Sequence, residues 1–493
     1  MVWGLFQRAV RAGRIVACAA LLAGCASAIH NEPVNLPLAA GVKPAAELGR
    51  DVDTYFDDTV VALSFSGGGT RAAAFSYGVL TGFDETHVPA AGRSVSLLDR
   101  VDFVTGVSGG SVLAAYYGLK KRKALADFKQ RFLLRNAEEG LQTELSLMNI
   151  ARGLQGGIND TQFPQWLDDN LFDHATFKSL LFERRPMVWI NASDIYNRTP
   201  FVFGRTAFAA LCSDLSTYPV SLAVAASAAV PVVFAPVVIQ NYPGGCPIPL
   251  PTWVAQVRHS VSAPPLLKLY ADALERYHSG DVRYVKLLDG GLVDNYGLAA
   301  FTIARLVSDE PYGPFEPEEA VKLRRMLFLV VDSGRAPSGA WAQTVEGPSG
   351  VNLVTAASDT ATESGAVGSY SAFADTMNRW QDMLIKWRCH LSPAERHKFG
   401  APAAWNCRDV RLFLARVSFD QLAPDRAKAL NAVETRFKLP PEQVDLLIDA
   451  GRDALKVNPV FRSFLKSLGA PPPAATPVAS PGNGAQEAEA QAQ

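Results

Sequence analysis

Between positions 60 and 335 the apolar residues fall into short β-branched runs, each followed by glycine-rich turns or a helical period. VVALSF (60–65) reads as a buried strand, with a Gly turn and a helix from Arg71 to about Phe83 after it. DFVTG (102–106) repeats the pattern, with a helix beginning near Ser108. MVWINAS (187–193), VRYVKLLD (282–289) and RRMLFLVVD (324–332) are further β-rich runs that end in turn chemistry. Strands alternating with helices predict an α/β fold of three layers, with a central, largely parallel sheet flanked by helices. The uncharged run Leu222–Ile239 approaches membrane-span length, but Pro231 and Pro236 interrupt it, so a buried helix, a loop and a short strand are expected. Residues 336–469 turn mainly helical and loop-rich and are expected to form a C-terminal extension to a catalytic domain at 56–335. Residues 470–493 hold almost no large apolar side chain and are expected to be disordered.

The first residues read as an address. Arg8, Arg11 and Arg14 precede a short apolar stretch, Ile15 to Ala23, which is too short to span a bilayer. It ends in Leu22-Ala23-Gly24-Cys25, which resembles the lipobox of bacterial lipoproteins. Residues 1–24 are thus expected to be a signal peptide, Cys25 the lipidated residue, and the Pro- and Ala-rich 25–55 a tether. Ala26 and Ser27 follow, without an Asp at the second position, which favours the outer membrane, on its periplasmic or surface face. The chain of 493 residues is 48% hydrophobic and 19% charged, a globular composition. Its formal charge of −1 moves to −4 when the signal and its three arginines leave, so no basic field invites nucleic acid, and membrane association rests on the lipid. Beyond Cys18 in the signal and Cys25, four cysteines remain. In an oxidising compartment Cys212–Cys246 and Cys389–Cys407 are the expected local pairs among three connectivities. No Cys or His cluster suggests a metal.

Three short pieces carry chemistry. GVSGG (106–110) is a G-x-S-x-G sequence between a strand and a helix, the context in which a serine is presented from a sharp turn with a helix N-terminus behind it. SGGGT (66–70), followed by Arg71, can expose backbone N–H groups to an anion. One reading is an oxyanion hole. The other is a loose dinucleotide fingerprint, for which Asp84 and Glu85 lie at about the right distance but at a helix end. Ser108 in the next strand–turn–helix favours the oxyanion hole. Asp289-Gly290-Gly291 closes a strand and is followed by LVDNYG. An Asp there could deprotonate Ser108 directly, and desolvation would raise its basicity from the ordinary value of about 3.9.

Taken together, SGGGTR, GVSGG and DGG, in this order over about 60–335, resemble the patatin-like phospholipase family. ASAAVPVVFAP (226–236) also looks like that family's Ala-Ser-x-x-x-Pro-x-x-Phe block, while Ala72 stands where the usual loop has glycine. The resemblance implies a patatin-like fold, a Ser108–Asp289 dyad, and an oxyanion hole from Gly67, Gly68 and Gly69 with Arg71 as the loop's positive residue. It further implies hydrolysis of lipid acyl esters, of the phospholipase A or lysophospholipase type, without metal or cofactor. Two alternatives stay open. One is an α/β-hydrolase triad using His390 or His397, and the other a lipid-binding lipoprotein without catalysis. Lys120 to Lys123 (KKRK) could meet anionic headgroups or simply form a solvated helix face.

Overall fold

The computed structural model describes residues 31–39, 58–90, 92–139, 162–181, 185–231, 233–244, 246, 248–337 and 339–470. The signal segment, Cys25, most of the tether and residues 471–493 lie outside the described residues. The main sheet has eight strands: β1 (Thr59–Phe65), β2 (Phe103–Val107), β3 (Met187–Asp194), β4 (Thr199–Val202), β5 (Val237–Gln240), β6 (Tyr284–Asp289), β7 (Arg325–Val331) and β8 (Arg411–Val417). Their order is β8-β7-β1-β2-β3-β6-β5, with β4 also on β3. The first five in this order run parallel, whereas β4 and β6 run antiparallel to β3, and β5 antiparallel to β6. β1 is buried along its whole length, as a central strand covered on both faces must be, and its β-branched and aromatic residues suit that position.

Helices cover both faces. α1 (Gly69–Glu85) follows β1, and α2 (Gly109–Lys120) follows β2. The Leu222–Ile239 run divides as expected into α3 (Val220–Ser227), a loop holding both prolines, and β5. Among the described residues no helix is long and apolar enough to cross a membrane. α4 (Gly291–Asp294) is one turn after β6, and α5 (Val351–His390) is a 40-residue helix. α6 (Pro441–Val457) and α7 (Pro459–Ser467) are the last helices among the described residues.

The region after residue 335 is the mainly helical extension expected, and it is built into the sheet and the core. β8 pairs in parallel with β7 from Arg411↔Arg325 to Val417↔Val331, and α6 lies directly on α1. A Cβ on Gly78 would fall 2.0 Å from the Ile448 carbonyl oxygen, and one on Gly451 2.1 Å from that of Phe75, so the two helix backbones touch. One apolar core accordingly includes Leu63 and Phe83 together with Leu447, Phe461 and Phe464. Part of the expected tether is also built in. The Asn35 amide donates to Ser213 Oγ (2.9 Å) and Gln240 O (2.8 Å), its Oδ1 accepts from Gln240 N (2.8 Å), and Leu38 N donates to Cys212 O (2.9 Å). Two backbone-matching asparagines, Asn31 and Asn35, dock a segment whose composition alone looks like linker. Disulfides join Cys212 to Cys246 and Cys389 to Cys407.

Candidate active site

Strand register brings the three chemical pieces to one place. β1 and β2 end side by side, Phe65 opposite Gly106, and their following turns pack together. Val107 pairs with Asn191 on β3, and Ala192 pairs with Asp289 on β6, which sets Asp289 at the level of Ser108 across one intervening strand. β2 lies on one side of β1 and β7 on the other, so the site occupies the reversal of strand order at the carboxyl ends, where open α/β sheets bind ligands.

Ser108 has φ 51° and ψ −126°, a conformation that costs a non-glycine residue energy and is held only by over-determined surroundings. Those surroundings are identifiable. Ser108 N donates to Ser227 Oγ (2.9 Å), and Ser227 Oγ donates onward to Asn191 O (2.6 Å). Gly109 and Gly110 let the turn press on the β1 loop, because a Cβ on either would sit 1.9 Å from Gly69 O or 2.5 Å from Phe65 O. The same α3 end holds the acid, with Gly290 N bonding Ser227 O (3.1 Å) and Asp289 N bonding Ala229 O (2.8 Å). Thus the Ala-Ser stretch of 226–236 is a common bracket for Ser108 and Asp289.

Asp289 is buried, and desolvation pushes its carboxyl up to about 6; hydrogen bonding from the Gly291 N–H (2.8 Å to Oδ1) and the Ser108 hydroxyl restrains the rise. Among the described residues no histidine bonds either group. His390 and His397 are both exposed, His390 Nδ1 lying 2.6 Å from Lys386 O.

The glycine loop differs from the expected donor set. Gly67 N is already bonded to Asn295, at 3.1 Å to Oδ1 and 3.2 Å to the carbonyl. Gly68 (φ 137°) and Gly69 (φ 59°) occupy positive-φ regions that favour glycine, and their N–H groups have no acceptor among the described residues. Gly109 N, at the start of α2 beside Ser108, is likewise without one. Arg71 does not join this set. Its guanidinium turns behind the loop, Nε to Ser333 O (3.0 Å) and Nη1 to Val433 O (3.1 Å) and Thr435 Oγ1 (2.7 Å). Burial, with Arg335 nearby, lowers its pKa to about 9. Ala72 is fully buried in the first turn of α1.

Other candidates fall away from the site. Asp84 and Glu85 end α1, roughly 22 Å from the loop at 1.5 Å per residue, and pair with Arg122, Arg452 and Lys456. This removes the dinucleotide reading. Lys120 ends α2 and Lys121 to Lys123 follow it, roughly 18 Å from Ser108 along the helix, where Lys120 meets Asp173 and Arg122 meets Asp84 and Asp99. Ser227, Asn295, Ser333 and Thr435 were not singled out from sequence. Lone Ser, Thr and Asn carry no spacing signal, although Ser227 and Asn295 lie inside stretches already marked.

Residues 63–302 match the family model described as patatin-like phospholipase. These residues form a patatin-like phospholipase domain. The patatin-like domain contains Ser108, Asp289 and the glycine loop, whereas β7, β8 and the partners of Arg71 lie beyond it. No curated protein sequence matches the chain significantly. Among solved structures, human GIVD cytosolic phospholipase A2 is similar over 83% of this chain and 60% of its own, at 12% identity and a TM-score of 0.40. The same enzyme in complex with methyl gamma-linolenyl fluorophosphonate gives 83%, 58%, 13% and 0.35. VipD from Legionella pneumophila gives 88%, 72%, 13% and 0.28. The chain thus spans about 60% of the length of the first of these structures.

Proposed function

We propose that the protein is a serine lipid acyl hydrolase, of the phospholipase A or lysophospholipase type, working through Ser108 and Asp289. The observation that carries this reading is the buried Asp289 carboxyl, raised to about 6, beside a serine held at positive φ within a patatin-like domain. Asp289 takes the proton of Ser108 Oγ as the oxygen bonds to the ester carbonyl carbon. The N–H groups of Gly68, Gly69 and Gly109 would receive the resulting oxyanion. Collapse expels the alcohol, which leaves with the proton from Asp289. Water, deprotonated by Asp289, then attacks the acyl-Ser108 ester, and Asp289 returns that proton to Ser108 Oγ as the fatty acid is released.

Lipid profiling of phospholipid, lysolipid and neutral-ester mixtures tests the reading. Wild type should release fatty acid, and Ser108→Ala and Asp289→Asn should each lower the rate at least about a thousandfold in folded protein. Near wild-type turnover in either variant refutes the dyad. Exposed His390 and His397 leave the triad alternative without support.

The proposed workplace is the outer membrane, with the chain anchored through acylated Cys25. The ordered n-region, apolar stretch and LAGC sequence support it. Expressed in a bacterium fed an alkynyl fatty acid, wild type should take up label and Cys25→Ser should not; equal labelling of both would exclude this anchor.

A further inference from the structure

We propose that the span between Val433 and Phe437 is a positioning strap for the oxyanion loop, anchored by Glu138, so that Thr435 and Glu138 govern turnover without touching substrate. The proposal rests on the reading of Gly68 and Gly69 as oxyanion donors.

The loop is held between two backbones. On one side Gly109 presses on Gly69, whose carbonyl oxygen lies 1.9 Å from where a Gly109 Cβ would stand. On the other side the Arg436 carbonyl lies 2.5 Å from where a Gly69 Cβ would stand and accepts Thr70 N at 2.8 Å. Arg71, two residues after Gly69, grips the same span through Val433 O and Thr435 Oγ1. Besides Ser333, the loop's rear contacts therefore fall on a segment more than 360 residues away in the chain.

The span is itself fixed at both ends. Val433 and Phe437 are buried, and the Phe437 ring packs on Phe163 with centroids 4.7 Å apart. Glu434, Thr435 and Arg436 between them are exposed, so polar bonds, not core packing, set their path. Glu138 supplies those bonds with one carboxylate. Oε2 pairs with Arg436 Nη2 (3.0 Å), and Oε1 accepts Phe437 N (2.8 Å). Ala137 N adds a bond to Phe437 O (3.3 Å). The pair raises the pKa of Arg436, as a carboxylate acting chiefly through its hydrogen bond should. Oxyanion donors work within a few tenths of an ångström, so slack in this strap reaches the chemistry while leaving substrate contacts in place.

Full-length Thr435→Val, Thr435→Ser and Glu138→Ala, with wild type and Ser108→Ala as references, test the proposal. Two readouts are steady-state hydrolysis of a short-chain p-nitrophenyl ester and amide hydrogen exchange of the peptide covering 66–72. Thr435→Val and Glu138→Ala should lower kcat about tenfold with KM within about twofold, and should speed exchange in 66–72 at an unchanged Tm. Thr435→Ser restores the hydroxyl and should return kcat to within about twofold of wild type. Unchanged exchange in 66–72 for both Thr435→Val and Glu138→Ala overturns the strap. So does wild-type kcat in both, or a Ser variant as impaired as the Val variant. Faster exchange in the variants, with a wild type no more active than Ser108→Ala, supports the strap as a holder of the loop and refutes only the acyl-hydrolase reading.

Discussion

In the dyad proposed here, the surroundings of Asp289 and Ser108 oppose their ordinary states. Burial penalises the charged carboxylate and raises its pKa to about 6, so at neutral pH the group is still mostly ionised yet a better base than a solvated Asp. The sign is definite: the base form is needed, so kcat/KM should fall as pH drops through about 6, approaching tenfold per unit below it. His390→Ala and His397→Ala should retain both the limb and the rate. A pH–rate profile checks this, and a limb that vanishes in either histidine variant would return the assignment to a triad. Ser108 and Asp289 were legible in sequence although 181 residues separate them, because each sits among glycines that mark a close backbone approach. Ser227 was legible only as the Ser of the Ala-Ser-x-x-x-Pro-x-x-Phe block, and its bonds to Ser108 N and Asn191 O were not, since nothing local requires them. Arg71 shows the limit most sharply. Its position beside the loop was evident, but its acceptors at Ser333, Val433 and Thr435 are 262 to 364 residues away.

At the scale of elements, the strands were legible where β-branched runs are continuous, as in β1 and β7. β8 escaped because RLFLARV sits among helical patterns and alternates exposed or half-buried with buried positions, as an edge strand does. The α1–α6 contact was also hidden. Gly78 in α1 and Gly451 in α6 look like weak points in their helices, at about 1 kcal/mol each relative to Ala, until the partner backbone is seen against them. Gly451→Ala should therefore destabilise by about 3 kcal/mol or more instead of stabilising, because the methyl group meets the Phe75 carbonyl and neither backbone can yield alone. Urea unfolding measures it, and an unchanged or higher midpoint would contradict this packing.

Across the whole molecule, the structural unit around the candidate site is larger than the patatin-like domain. Ser108, Asp289 and the glycine loop lie within 63–302, but β7, β8, α6 and the Val433–Phe437 span support them from outside. Sequence periodicity suggested an extension after residue 335, because a helical run does not reveal which face of which domain it covers. The central claim is that this assembly makes Ser108 a nucleophile with Asp289 as its base. Reaction with a fluorophosphonate, followed by mass mapping of the adduct, tests it most directly. The account predicts one adduct, on Ser108, forming at least tenfold more slowly in Asp289→Asn. An adduct on another residue, or an undiminished rate in Asp289→Asn, would contradict it.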